Sequence, residues 1–277
     1  MDQKKKYCSS LTIAGSDSGG GAGIQADIKT FSALGVFGMS VITAITAQNT
    51  TEVRRVELVS PEMVRLQLET VLDDIKVDSV KTGMLPSPEI IEVFALVVDK
   101  YKLKNIVIDP VMVATSGARL SPASTSVFFR KFLYERLTVL TPNIPEAEVL
   151  SGIEINDEED MEKAGKILIG QGCNAVLVKG GHLARPIVKD ILLQKNKNVE
   201  YFSSEFSNTK NLHGTGCSLA SAISANLALG YDLKKAVELS KEFITKAIIS
   251  GRNIVTGNGN GPVNHFFDPK PLKTINL

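Results

Sequence analysis

Between residues 7 and 250 the chain alternates short apolar runs with longer segments whose apolar residues recur at helical spacing. The runs at 7–14, 38–47, 52–59, 79–84, 105–109, 137–140 and 175–179 are rich in Val, Ile, Leu and Thr and read as strands. Two more strands are expected near 187–193 and 199–206. Helices are expected at 24–34, 88–102, 157–171, 214–229 and 232–250, with Asn156 and Glu159 as a cap signal for the third. A further helix runs to Ile75, with Ser60 as its cap and Pro61 in its first position. Strands and helices in this order, joined by right-handed crossovers, give a mainly parallel sheet covered on both faces. No repeat, linker or low-complexity tract interrupts the pattern, so a single domain over 1–277 is expected, with 1–6 as a flexible start.

Ligands of open α/β sheets bind beyond the carboxyl ends of the strands. Asp17, Gln48, Asp109, Asn143, Glu146 and Lys179 all fall at or just after such ends. Each also has a plain structural reading. Gln48 offers a donor and an acceptor to an aminopyrimidine edge, or belongs to an ordinary turn. Asn143 and Glu146 have the spacing of a capping box at a helix start. Lys179 leads into Gly180-Gly181-His182, where a cation beside paired glycines fits phosphate. Asp27, one turn into its helix, either points back at a ligand or is a solvated acid favoured by the helix dipole. The apolar loop from Pro110 to Val113, continuing through Thr115-Ser116-Gly117, is a pocket wall or packs on the next helix.

The stretch Asn211-Leu212-His213-Gly214-Thr215-Gly216-Cys217-Ser218 ends a polar segment and opens a helix of small residues. The first amides of a helix have no intrahelical partner, and the macrodipole adds positive character there. Glycines on either side of Thr215 admit an anion that a Cβ would keep away. Cys217 stands beside that cradle, where a thiol is expected to lose its proton more readily than in bulk water. An anion cradle with an ionisable neighbour suits phosphoryl transfer to an alcohol. The plain alternative is a helix entry with a Cys acting as a small hydrophobe.

The first glycine loop, 15–23, follows a strand and precedes a helix, as a dinucleotide site does. Asp17 would put a carboxylate in the phosphate's seat, so an uncharged polar ligand or close backbone packing fits better, and a nicotinamide-dependent oxidoreductase is disfavoured. The charge balance, 31 basic against 30 acidic residues, gives no bulk electrostatic case for nucleic acid or an anionic membrane. No apolar run reaches membrane-spanning length. Three widely spaced cysteines, Cys8, Cys173 and Cys217, fit a reducing, cytoplasmic setting better than a disulfide framework. No Cys-x-x-Cys or His-x-x-x-His metal spacing occurs.

Eight stretches together carry a family resemblance. They are Leu11-Thr12-Ile13-Ala14-Gly15-Ser16-Asp17-Ser18, Gly20-Gly21-Ala22-Gly23-Ile24-Gln25-Ala26-Asp27 and Thr46-Ala47-Gln48-Asn49-Thr50. Next come Lys81-Thr82-Gly83-Met84-Leu85, Asp109-Pro110-Val111-Met112 and Thr141-Pro142-Asn143-Ile144-Pro145-Glu146-Ala147. The last are Val178-Lys179-Gly180-Gly181-His182 and His213-Gly214-Thr215-Gly216-Cys217. The chain resembles the hydroxymethylpyrimidine/phosphomethylpyrimidine kinases of thiamine biosynthesis, members of the ribokinase-like superfamily.

The resemblance implies a ribokinase-like three-layer αβα sandwich with a mainly parallel central sheet. It implies ATP with Mg²⁺, a pyrimidine alcohol and then its monophosphate as acceptors, and a homodimer. It assigns Gly15, Asp27, Gln48, Met84 and Val111 to the pyrimidine pocket. Cys217 becomes the base that takes the hydroxymethyl proton, and Gly214, Thr215 and Gly216 form the anion hole. Asp109 and Glu146 become the metal-side acids, and Asn143, Lys179 and His213 the nucleotide-side groups. Gly19 stands where the family usually has Ser, and Leu212 where Thr is common. The chain ends soon after the kinase pattern, so no fused second enzyme is expected. Vitamin B6 kinases, which usually lack the Ala-Gln-Asn stretch, are the nearest rival; a non-catalytic pyrimidine-binding regulator is a more distant one.

Overall fold

A computed structural model describes residues 4–112, 125–183 and 185–276. In chain order its elements are β1 (Lys5–Tyr7), β2 (Ser9–Asp17), α1 (Gly23–Ala33), β3 (Phe37–Gln48), β4 (Val53–Leu58), α2 (Pro61–Asp74), β5 (Ser79–Thr82) and α3 (Pro88–Tyr101). There follow β6 (Ile106–Ile108), α4 (Thr125–Phe132), β7 (Val139–Leu140), α5 (Ile144–Ser151), α6 (Glu158–Gly170), β8 (Ala175–Val178), β9 (Ile187–Gln194) and β10 (Glu200–Glu205). The chain closes with α7 (Thr215–Ala228), α8 (Leu233–Gly251) and β11 (Thr274–Asn276).

Among the described residues, nine strands form one sheet in the order β10-β9-β8-β7-β6-β5-β2-β3-β4. The six from β8 to β3 pair in parallel, while β4, β9 and β10 add antiparallel edges. The expected mainly parallel αβα sandwich is therefore the observed architecture. Successive side chains of a strand face opposite ways, and each face finds its own cover. Ile106 and Ile108 pack in the core beneath α2 to α6, whereas Val107 joins the core beneath α7 and α8. Both faces being buried explains why β5 to β8 read as nearly continuous apolar runs.

Helix α7 is rich in Ala and Ser, and these small residues let it lie close against the sheet. Its serines meet polar residues of β2 and β5 along a buried seam. Ser224 bonds Ser10 and Ser79 at 2.7 and 2.9 Å, and Ser221 bonds Asp27 of α1 at 2.6 Å. Each buried hydroxyl in this seam has a partner, as burial of polar groups requires.

Two expectations are corrected. The expected irregular start does not extend past residue 4, since Lys5–Tyr7 form β1, which pairs antiparallel with β11, Lys5 opposite Asn276. A short lysine-rich strand has little drive of its own, so the distant C-terminal partner decides it. Helix α6 is capped by Asp157, whose side chain accepts from the Asp160 amide, not by Asn156. The loop residues Val113, Thr115, Ser116 and Gly117 lie outside the described residues. Helix α4 had no counterpart in the sequence reading.

Candidate active site

A cavity of about 760 Å³ opens at the carboxyl edge of the parallel strands. Gly15, Gln48, Met84, Asp109, Val111, Asn143, Glu146, Lys179 and Gly214 to Cys217 all line it. The sequence reading is thus gathered into one site, with Asp27 as the exception.

The wall begins at Gly214, the N-cap of α7, which has φ +80° and no side-chain cap. A Cβ there would meet the Gly21 carbonyl oxygen at 1.8 Å, so only glycine allows this turn to rest on the first glycine loop. The Thr215 amide donates to Leu212 O and the Ser218 amide to Gly214 O. The Gly216 and Cys217 amides have no acceptor among the described residues, and they open an anion-binding helix terminus. The Thr215 hydroxyl is turned away, donating to Leu212 O at 2.7 Å. A Cβ on Gly216 would stand 3.4 Å from Lys179 Nζ and 3.8 Å from Asp109 Oδ2, so the cation and the acid border this hole directly.

Lys179 donates to Asp109 at 2.8 Å; the acid is buried and the lysine largely so. Burial would lower the ammonium's pKa, but Asp109 and Glu146 outweigh it and raise it. Glu146 is pushed up to about 7, mainly by burial, with Lys179 opposing and Asp109 adding to the rise. The capping box is complete: Asn143 Oδ1 accepts from the Glu146 amide, and Glu146 accepts from the Asn143 amide, both at 2.9 Å. The capping reading of Asn143 and Glu146 therefore holds, and both residues also line the cavity. Two acids that repel each other at a buried edge make a place for a cation. Among the described residues no cluster of three or more His, Cys, Asp or Glu could hold a metal. A divalent ion on Asp109 and Glu146 would thus complete its shell with phosphate oxygens and water, as Mg²⁺ usually does.

Three readings are corrected here. Asp27 does not line the cavity and is neither a ligand group nor solvated; it is fully buried. Its carboxylate accepts from Thr12 at 2.6 Å, Ser221 at 2.6 Å and Lys81 at 2.9 Å. The cause is Lys81, a fully buried cation of β5 that needs a counter-ion. Next, the Cys217 thiol does not ionise more easily than usual. Burial pushes it up to about 11, with Asp27 and Asp109 adding to the rise and Lys81 and a hydrogen bond from the Gly23 amide opposing it. The half-buried sulfur still lines the cavity. Finally, His213 stands on the Gln48 side and not with the nucleotide-side groups: its Nε2 is 2.9 Å from Asp17 and 3.5 Å from Gln48 Nε2.

Asp17 itself organises the first glycine loop. It accepts from the amides of Gly19, Gly21 and Ala22 at 2.8, 3.1 and 2.9 Å. The loop's amides thereby hold the protein's own carboxylate, which is why it does not cradle a phosphate. Sequence reasoning missed Lys81, although the only signal needed was a lysine inside a four-residue strand that is buried throughout.

A family model described as phosphomethylpyrimidine kinase matches residues 17–264. The chain belongs to the phosphomethylpyrimidine kinase family. It is accordingly a small-molecule kinase. The hydroxymethylpyrimidine/phosphomethylpyrimidine kinase of Bacillus subtilis is 43% identical over 92% of this chain and 94% of its own. A thiamine biosynthesis bifunctional protein of Geobacter sulfurreducens is 48% identical over 95% of this chain, which spans 53% of that protein. In structure, the pyridoxal kinase of Staphylococcus aureus in complex with AMP-PCP and pyridoxal matches with a TM-score of 0.86 at 33% identity, over 98% of this chain and all of that one. The ribokinase-like expectation agrees with these relatives. No helix among the described residues is long and apolar enough to cross a membrane.

Proposed function

We propose that this phosphomethylpyrimidine kinase family member transfers the γ-phosphoryl group of ATP to the hydroxymethyl oxygen of 4-amino-5-hydroxymethyl-2-methylpyrimidine. It then phosphorylates the monophosphate to the diphosphate, supplying thiamine biosynthesis. The observation that carries the reading is one shared cavity. Gly15, Gln48, Met84 and Val111 border the acceptor end, and the sulfur of Cys217 and the open amides of Gly216 and Cys217 stand beside them. A Cβ on Gly15 would stand 3.3 Å from Met84 Sδ, so at this end a bare backbone and a polarisable thioether lie side by side as one apolar surface for a flat ring.

Phosphoryl transfer needs positioning and neutralisation of spreading charge more than covalent help. The Gly216 and Cys217 amides, with Lys179 beside them, stabilise the equatorial oxygens of the migrating group. The acceptor oxygen forms a bond to the γ-phosphorus while the bond to the β-phosphate bridging oxygen breaks. The hydroxymethyl proton passes to the Cys217 sulfur, acting as thiolate, and later to water. Asp109 and Glu146 would hold Mg²⁺, which neutralises phosphate charge when bound. Asn143 and Lys179 serve the nucleotide's phosphates. His213 and Asp17 fix the loop beside the acceptor end.

Free thiols at Cys8, Cys173 and Cys217 support a cytoplasmic setting. Exposed Ile45 and Leu58 on the outer hairpin β3–β4 support a homodimer through that edge. The rival reading, vitamin B6 kinase, draws on the likeness to the pyridoxal kinase fold. ATP consumption measured side by side with the aminopyrimidine alcohol and with pyridoxal tests the choice. Preference for the aminopyrimidine is expected; preference for pyridoxal reverses the reading.

A further inference from the structure

The floor beneath the phosphate-side wall is charged, although nothing of that charge reaches solvent. Lys81 and Asp27 are both fully buried there. Cys217 and Ser221 are four residues apart on α7, so they stack on one face of the helix. The Ser221 hydroxyl donates to Asp27 Oδ1 at 2.6 Å. The ion pair therefore lies one turn below the sulfur. Its orientation is fixed as well. Thr12, opposite Lys81 in the β2–β5 ladder, donates to Asp27 at 2.6 Å and with Ser221 pins the carboxylate. The ammonium end reaches up under the cavity: a Cβ on Gly83, a cavity-lining residue, would stand 3.0 Å from Lys81 Nζ.

We infer that Lys81, pinned by Asp27, is a positioning residue of the transfer step, its ammonium group holding the sulfur of Cys217 ready to take the alcohol's proton. This rests on the proposed role of Cys217 as base. The groups whose charge acts on that sulfur are Lys81, Asp27, Asp109 and Lys179. Of the first three, Lys81 is the opposing influence and the larger, so the buried pair presents its positive end to the thiol. Burial of an ion pair is a weak source of stability, and a hydrophobic pair of similar volume would often serve the fold as well. A functional reason for keeping one below the reacting sulfur follows from its direction: it favours the thiolate in a site that otherwise resists it.

The test reads the thiol without ATP or acceptor. Iodoacetamide alkylation of Cys217 is followed in the full chain by peptide mass spectrometry, which separates it from buried Cys8 and Cys173. Its rate tracks the thiolate fraction. The double variant Lys81→Met with Asp27→Asn keeps the buried charge at zero, and alkylation at mildly alkaline pH is expected to slow about tenfold, the effect of one pKa unit. Lys81→Arg, which retains the charge, is expected to restore most of the rate. An unchanged rate in a folded double variant overturns the inference. Should that variant not fold, the unaltered protein decides: the Lys81 Nζ resonance is expected to shift as the Cys217 thiol ionises, and a resonance that does not respond to that ionisation overturns the inference. Failure of the unaltered protein to phosphorylate the aminopyrimidine would instead sink the functional reading and leave the alkylation result standing.

Discussion

His213 Nε2 lies 2.9 Å from Asp17 Oδ2, joining residues 196 positions apart. The histidine enters the turn that opens α7, and the carboxylate holds three amides of the first glycine loop. One contact therefore couples the acceptor end of the cavity to its phosphate-side wall.

Asp17→Asn tests that coupling. Burial would raise the Asp17 pKa, but the His213 hydrogen bond and the Ala22 and Gly19 amides outweigh it and hold the carboxyl below its usual value. A folded-state pKa below the unfolded one stabilises above the unfolded pKa, and that stability is lost as pH falls through the folded value. The variant is expected to lose about 1–3 kcal/mol at neutral pH, the usual cost of breaking buried hydrogen bonds to a charged group. Thermal melts should show the gap from the unaltered protein closing below about pH 4, near the ordinary Asp pKa.

Cys217→Ala should separate the two phosphorylations. An alcohol must lose a proton as it attacks, and removing a proton-transfer group costs about 10²-fold or more. A phosphate monoester with a second pKa near ~6 already offers an unprotonated oxygen at neutral pH. Turnover on the alcohol is expected to collapse while ATP binding and transfer to the monophosphate persist. In the unaltered protein the thiol sits at about 11, so the alcohol step should climb with pH across the neutral and mildly alkaline range. Steady-state assays with each acceptor read both effects.

Gln48→Ala should weaken the pyrimidine far more than ATP, because Gln48 borders the acceptor end near His213. Calorimetric titration with each ligand measures the difference. Equal weakening of both would contradict the pocket assignment.

Gly214→Ala should damage stability and activity together. The residue has φ +80°, and its Cβ would strike the Gly21 carbonyl. A left-handed non-glycine residue alone costs about 1–3 kcal/mol, and the clash adds to it. A fall in Tm on the order of 5 °C or more is expected by thermal denaturation.

Asp109→Asn and Glu146→Gln should each raise the Mg²⁺ concentration needed for half-maximal turnover. Removal of either acid leaves a single carboxylate of the Asp109 and Glu146 pair to hold the ion. A magnesium titration of activity in each variant checks this. An unchanged requirement in both would take these residues out of metal binding.

Local rules served the sequence reading well where the partners are neighbours. The box between Asn143 and Glu146 was legible because the two lie three positions apart on one helical turn. The open turn at Gly214 was legible because glycines bracket Thr215 ahead of a small-residue helix. Distant partners were not legible. Asp27 was read as a ligand group because Lys81, 54 residues away, cannot be seen from its own helix. His213 was placed with the nucleotide because Asp17 belongs to another glycine loop. The Cys217 pKa was misjudged for the same reason: a helix N-terminus is a local feature, whereas burial beside Asp27 and Asp109 depends on three elements meeting.

Most of the order of strands and helices, the carboxyl-edge location of the cavity and the residue types that line it were legible in the sequence alone, since periodicity, capping and turn chemistry act over a few residues. Only the tertiary structure decided which carboxylate faces ligand, which one neutralises a buried lysine and how tightly a thiol keeps its proton. Those outcomes depend on solvent exclusion and on charges brought together across the sheet, and neither is encoded within any one segment.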